Sequence, residues 1–312
     1  MRVGYACVPL GDPTLRSPRT TVLRRATPER LRALIAENIA GLARILAYNE
    51  AHGLRLFRIG SAFIPFGSHP INPLRWWEEF AEELAAVGTW ALRHDHRLSF
   101  HASYFAVLNS EREEVAAAAR AEIEYQARAL AALGLPTSHR VVLHMGVTTP
   151  DKRAATERLR RHLDRLSPGA RQRVILENDE ARYSLDEVVA FARREGLPVV
   201  ADLLHHRVCG GAWRDRPVAE MLAEVFTTWR PADGPPKVHF SSQAPIGSPG
   251  AHGDWIDAEE LAGFLAAMAG VPRDFDLMFG AKAKDLAARA MLDVIRRSPI
   301  GSRLVPALPR AA

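Results

Sequence analysis

Eight short apolar runs, separated by stretches with helical periodicity, constrain this chain more than any other feature. They are RVGYA from Arg2, LRLFRIG from Leu54, RLSFHA from Arg97, RVVLHMG from Arg140, RVILEND from Arg173, PVVADLL from Pro198, PKVHFSS from Pro236 and DFDLMFG from Asp274. Their wealth of β-branched, leucine and aromatic residues gives them strand character. Between them lie segments such as ERLRALIAENIAGLARILAYNEAHG, EEVAAAARAEIEYQARALAALG and SLDEVVAFARREG. In the last, Ser184 stands as an N-cap with Glu187 three residues on, and Gly196 closes the helix. Strand alternating with helix eight times predicts a parallel α/β sheet, and eight units are enough to close a (β/α)8 TIM barrel. A doubly wound open sheet fits less well, because there is no GxGxxG turn and the units repeat evenly.

Longer loops follow the first strand (residues 8–26), the second (61–76) and the sixth (207–216). All three belong to the C-terminal face, where a barrel keeps its active site. No repeat, low-complexity tract or linker marks a second domain, so residues 1–312 are expected to form one.

Hydrophobic residues make up 47% of the 312 and charged residues 25%, which suits a globular enzyme. No apolar run approaches the roughly 20 residues that cross a bilayer, so no membrane association is expected. The opening MRVGYACVPLGDP lacks a basic segment followed by a long apolar one, which points to the cytoplasm. Cys7 and Cys209 are the only cysteines, too few for a disulfide framework or a thiolate zinc site. The net charge of +5 permits a phosphate-backbone partner without demanding one. Arg153, Arg158, Arg160, Arg161 and Arg165 read as the solvated face of a helix. A monomer is the expected state.

Polar residues recur at one place in the pattern, the C-terminal end of a strand. His101 ends the third, His144 the fourth, Glu177 the fifth, Asp202 the sixth and His239 the seventh. His69, His205 and His252 stand in the loops after strands two, six and seven. A lone histidine at a strand end is usually a hydrogen-bonded core group. Five metal-ligating side chains at equivalent positions argue for a shared site, because a barrel brings its strand ends to one rim. Imidazole and carboxylate together suit Mn, Zn or Fe. Of the adjacent His205 and His206, only one can readily face that rim, and His205 is favoured. His52, His94, His96, His139 and His162 read as surface histidines.

The segments LFRIGSAFIPFGSHP, HASYFAVLNS, RVILENDE, VVADLLHH, PKVHFSSQ and DLMFGAKAKDLA resemble, in order and spacing, the blocks of the UV damage endonucleases. The resemblance runs from Gly4 to about Leu292. It implies a barrel similar to endonuclease IV and the xylose-isomerase-like folds, nicking duplex DNA immediately 5′ to UV photoproducts and acting on abasic sites. It also implies a centre of two or three divalent ions, Mn first, with Zn or Fe as alternatives. The ligands it implies are His101, His144, Glu177, Asp202, His205, His239 and His252. His69 lies close by, and Lys237 matches a lysine that can be carboxylated. Glu177, His69 and Lys237 are the implied catalytic residues; Glu177 would bridge two ions. Residues 237 and 239 point to the same face of their strand. Tyr5, Tyr104 and Phe105 are the implied contacts to damaged DNA.

Three departures from the family pattern stand out. The eighth strand ends in Gly280-Ala281-Lys282 where the relatives carry a glutamate ligand, so water, Asp179 or Asp276 is expected to compensate. The lesion-probing loop reads His101-Ala102-Ser103-Tyr104-Phe105, with tyrosine in place of glutamine. The turn after the fourth strand, Met145-Gly146-Val147-Thr148-Thr149-Pro150, has lost glycines. A second reading follows from these changes: a barrel of the same descent using its metals for redox, isomerase or hydrolase chemistry on a small metabolite. A third is a relative that binds DNA without cutting it.

Overall fold

The computed structural model describes residues 1–15 and 18–304. Eight parallel strands form it: β1 (Val3–Ala6), β2 (Leu56–Arg58), β3 (Arg97–His101), β4 (Arg140–His144), β5 (Val174–Glu177), β6 (Val199–Asp202), β7 (Lys237–Phe240) and β8 (Asp276–Phe279). They are hydrogen-bonded in sequence order and close into a barrel, as the alternation predicts. Each apolar run contains one strand. Residues on both strand faces are buried, as in Val174–Glu177 and Val199–Asp202, because side chains fill the inside and helices cover the outside. No helix among the described residues is long and apolar enough to cross a membrane.

Two compact units make up the chain. The first comprises residues 1–6, 49–57 and those from Ile175 onward, and so holds most of β5 together with β6, β7 and β8. Its registers pair Glu177 with Val200, Asp202 with His239 and Lys237 with Asp276. The helix Leu185–Glu195 closes on Gly196 in the left-handed conformation (φ 65°), and the Ser184 amide donates to Glu187 Oε2 at 3.0 Å. The expected capping pattern is thus the one adopted. The stretch 207–216 is not wholly a loop: a helix over Leu203–Cys209 starts directly at the end of β6.

The second unit comprises Cys7–Tyr48 and Arg58–Val174. Here β3 pairs with β4, with His101 opposite Val142. The helix Glu113–Ala132 buries Ala116, Ala119, Ile123, Ala127 and Leu130, a stripe at helical spacing. Each large aliphatic side chain so buried contributes about 1.5–3 kcal/mol.

Some histidines behave otherwise than their positions suggest. His96, His139 and His162 are buried, not at the surface. The Leu98 amide donates to His139 Nδ1 at 3.0 Å, so that ring satisfies a strand backbone group. Arg158 likewise is not solvated: its Nε donates to the Asn109 carbonyl at 3.0 Å. Arg160 does lie on the exposed face, paired with Glu157 and Asp164.

Candidate metal centre

The first unit gathers its metal-ligating side chains through three adjacent strand ends. Glu177 closes β5, Asp202 closes β6, and the β6–β7 register sets His239 beside Asp202. All three are buried, and each offers a ligand atom within 4.8 Å of the others. His239 Nδ1 is hydrogen-bonded to Glu177 Oε1. Asp202, His205 and His252 form a second such group. Asp202 does two jobs, since it ends β6 and caps the following helix, its Oδ1 accepting from the His205 amide at 2.9 Å. That cap explains the Asp-x-x-His spacing: one helical turn carries His205 back over Asp202.

The imidazoles are held in defined tautomers. A carbonyl oxygen can only accept, so a ring nitrogen bonded to one carries the proton. His205 Nδ1 lies 3.2 Å from the Asn178 carbonyl oxygen and His252 Nδ1 lies 2.7 Å from that of Gly280. Both rings therefore carry no proton on Nε2, which is how metal-ligating histidines are oriented by their outer partners. The rings sit 5.7 Å apart. Burial disfavours the His205 imidazolium, but Asp202, Glu177, the Asn178 carbonyl and Glu180 outweigh it and hold its pKa above the ordinary value. A site that attracts a proton this way attracts a cation. The hard and borderline donors, their spacing and their tautomers fit divalent ions of the Mn, Fe or Zn type.

In the second unit, His101 and His144 end the paired strands β3 and β4, with ring centroids 5.0 Å apart. His101 Nδ1 donates to the Ala102 carbonyl at 2.7 Å, so His101 too presents Nε2. His69 has the opposite tautomer: its Nδ1 accepts from the Ile71 amide at 3.0 Å, which leaves the proton on Nε2. It is an exposed hydrogen-bond donor in a loop anchored by Tyr125, whose hydroxyl donates to Ser61 and accepts from the Ile64 amide. Burial pushes the Tyr125 phenol upward, so it stays protonated in that role. After β3, the Ser103 amide and hydroxyl both bond Glu122, at 2.6 and 2.9 Å. This clamp holds up the turn that follows, where Tyr104 is 68% and Phe105 85% exposed.

Several expectations change. Tyr5, expected at the DNA, is fully buried; its hydroxyl donates to Asn49 Oδ1 at 2.7 Å and its ring packs edge-on against Phe57. It is a core residue, since no partner outside the fold can reach it. Both carboxylates expected to replace the missing glutamate have other partners. Asp276 is paired with Arg2 at 3.3 Å, and Asp179 Oδ1 accepts from the amides of Ala181, Arg182 and Tyr183. A side chain at Gly280 would require its neighbours to move: an added Cβ would stand 2.2 Å from Ser241 Oγ and 2.7 Å from His252 Nδ1. His205 lies with the ligands, as favoured, whereas His206 is buried and burial lowers its pKa. Lys237 is buried two residues before His239.

Three residues escaped the sequence reading. Asn178 bonds both backbone groups of Asp202, Ser241 occupies the space beside Gly280, and Glu180 stands 3.9 Å from His205 Nε2. All three lie in the blocks RVILENDE and PKVHFSSQ, but nothing in those blocks marked these contacts.

The family model described as UV-endonuclease UvdE matches residues 1–300. A UV DNA damage endonuclease of Clostridium perfringens is 31% identical over 291 residues, covering 92% of this chain and 69% of that protein. One from Bacillus cereus is 29% identical over 303 residues, covering 94% of each. Among solved structures, that of SacUVDE aligns with a TM-score of 0.88 at 28% identity, over 95% of this chain and 98% of that one. Endonuclease IV from Thermus thermophilus, at 20% identity and a TM-score of 0.58, shares the fold, covering 83% of this chain and 95% of its own.

Proposed function

The chain belongs to the UV damage endonuclease family, and from that premise we propose that it is a single-domain, metal-dependent DNA repair endonuclease. Its substrate is duplex DNA carrying UV photoproducts or related lesions, and the bond cut is the phosphodiester immediately 5′ to the lesion. The carrying observation is the family match over residues 1–300 combined with the Glu177, Asp202, His205, His239 and His252 donor groups.

Two or three divalent ions, Mn first and Zn or Fe next, are the proposed cofactors. When bound, they neutralise charge on the phosphate and activate the attacking water. Glu177, Asp202 and His239 would hold them from buried positions, and His205 and His252 would present Nε2. His101 and His144 would complete the ligand set, and Glu177 would be shared within it. His69, with its proton on Nε2, donates to a phosphate oxygen. Lys237, carboxylated or not, lines the site from within β7. Tyr104 and Phe105, carried on the clamped turn, stack against bases exposed at the lesion. The protein acts as a monomer.

The small-metabolite reading drew on Gly280, Tyr104 and the turn after β4 together; at the first of these, an added Cβ would meet Ser241 and His252.

The test is a UV-irradiated duplex incubated with purified protein and Mn. A nick 5′ to the photoproduct is expected; no cleavage above the metal-free background, with bound metal verified, defeats the reading.

A further inference from the structure

We infer that Glu180 is an additional ligand carboxylate of the cation position formed by Asp202, His205 and His252, supplying the negative charge that Gly280 does not. The inference rests on the metal-dependent reading of this site. Around Asp202, His205 and His252, the protein contributes one carboxylate to balance a dication, with two neutral rings. Such a position is short of charge. Of the carboxylates near it, Glu177 is bonded to His239 and Asp179 Oδ1 accepts from backbone amides.

Glu180 is not spent. It follows the last residue of β5 by three positions, and its Oε2 lies 3.9 Å from His205 Nε2. No other hydrogen bond or ion pair engages its carboxylate among the described residues. The distance is too long for a hydrogen bond. It matches two ligand atoms sharing one ion, since bonds of about 2.0–2.2 Å set neighbouring donors about 3 to 4 Å apart. The nitrogen it faces is the one without the ring proton, because Nδ1 donates to the Asn178 carbonyl.

The β7 hairpin reinforces this placement. Gln243 and His252 pair across it, and the Gly250 amide is fixed by Gln243 Oε1 at 2.8 Å. A Cβ at Gly250 would come within 3.0 Å of Glu180 Cβ, so the hairpin that delivers His252 packs directly on the Glu180 stem. The Glu180 side chain is 40% exposed, which leaves its carboxylate able to swing onto an ion.

Mn titration of the purified chain, followed by the loss of free-Mn EPR signal and by calorimetry, tests the assignment. Glu180→Gln keeps the shape and removes the charge. One Mn position should weaken about 10- to 100-fold, the scale at which metal sites lose affinity when a supporting group is removed, while the others keep wild-type affinity. Glu180→Asp should recover part of the loss and serves if the glutamine variant is misfolded by circular dichroism. A Glu180→Gln isotherm that superimposes on wild type overturns the inference. Wild type that nicks irradiated DNA while Glu180→Gln binds Mn normally overturns Glu180 alone. Glu180-dependent Mn binding by a protein that leaves irradiated DNA intact supports Glu180 and overturns the nuclease reading.

Discussion

The side-chain amide of Asn178 makes both hydrogen bonds to the backbone of Asp202 that a neighbouring strand would make. Its Nδ2 donates to the Asp202 carbonyl at 3.0 Å, and its Oδ1 accepts from the Asp202 amide at 2.9 Å. The Asn178 carbonyl meanwhile holds His205 Nδ1. One buried residue thus sets the direction of two proposed ligands. Asn178→Ala leaves both backbone groups of Asp202 without these partners, at a cost of about 1–3 kcal/mol for each buried group left unsatisfied. We expect a lower urea midpoint and about 10- to 100-fold weaker Mn binding. Unchanged Mn affinity in a folded variant would remove Asn178 from the positioning role.

Tyr5 separates core from DNA surface. Tyr5→Phe strips the donor from Asn49 Oδ1, a buried acceptor, and should destabilise the fold by about 1–3 kcal/mol. Nicking under conditions where the variant is folded should match wild type. A selective fall in affinity for damaged DNA, with stability intact, would return Tyr5 to the interface.

Tyr104 and Phe105 should behave in the opposite way. Both rings are exposed, so alanine at either position should change stability by less than about 0.5 kcal/mol. Loss of base stacking should weaken binding to irradiated duplex by about 1–3 kcal/mol per ring. Gel-shift titrations against irradiated and intact duplex measure the difference.

Placing a carboxylate at position 280 should not repair the site. The new Cβ would press on Ser241 Oγ and on His252, whose ring is oriented by the Gly280 carbonyl. Gly280→Glu should therefore cost about 1–3 kcal/mol of stability by overpacking and weaken Mn binding through His252. Combining it with Ser241→Gly removes the closest contact and should restore part of both. Tighter Mn binding by the single variant would show that the surroundings yield more readily than their contacts indicate.

His162 contributes to the pH dependence of stability. Burial holds its pKa below the ordinary 6.5, and Arg120 acts in the same direction. Unfolded chain takes up a proton at this ring that folded chain refuses. The contribution is complete above about 6.5 and is lost as pH falls from there through the lower folded value. His162→Gln should flatten the decline in urea midpoint between about pH 7 and about pH 5. An identical decline in wild type and variant would assign it to other groups.

The alternation of eight apolar runs with helical segments was sufficient to read the barrel, because strand and helix periodicity are local properties of the chain. The same regularity marked Glu177, Asp202, His205, His239 and His252, since a parallel barrel turns equivalent strand ends into neighbours. Their surroundings were not legible, because they depend on contacts between residues far apart in sequence. Sequence could not show that Asn178 would stand in for a strand against Asp202, or that the hydroxyl of Tyr5 would find Asn49 in the core. Gly280 illustrates the limit. Its identity announced a missing carboxylate, but only the tertiary structure filled its space with Ser241 and His252, engaged Asp276 with Arg2 and left Glu180 beside His205. Packing decides such matters, because a side chain's role is set by which buried donors and acceptors already have partners.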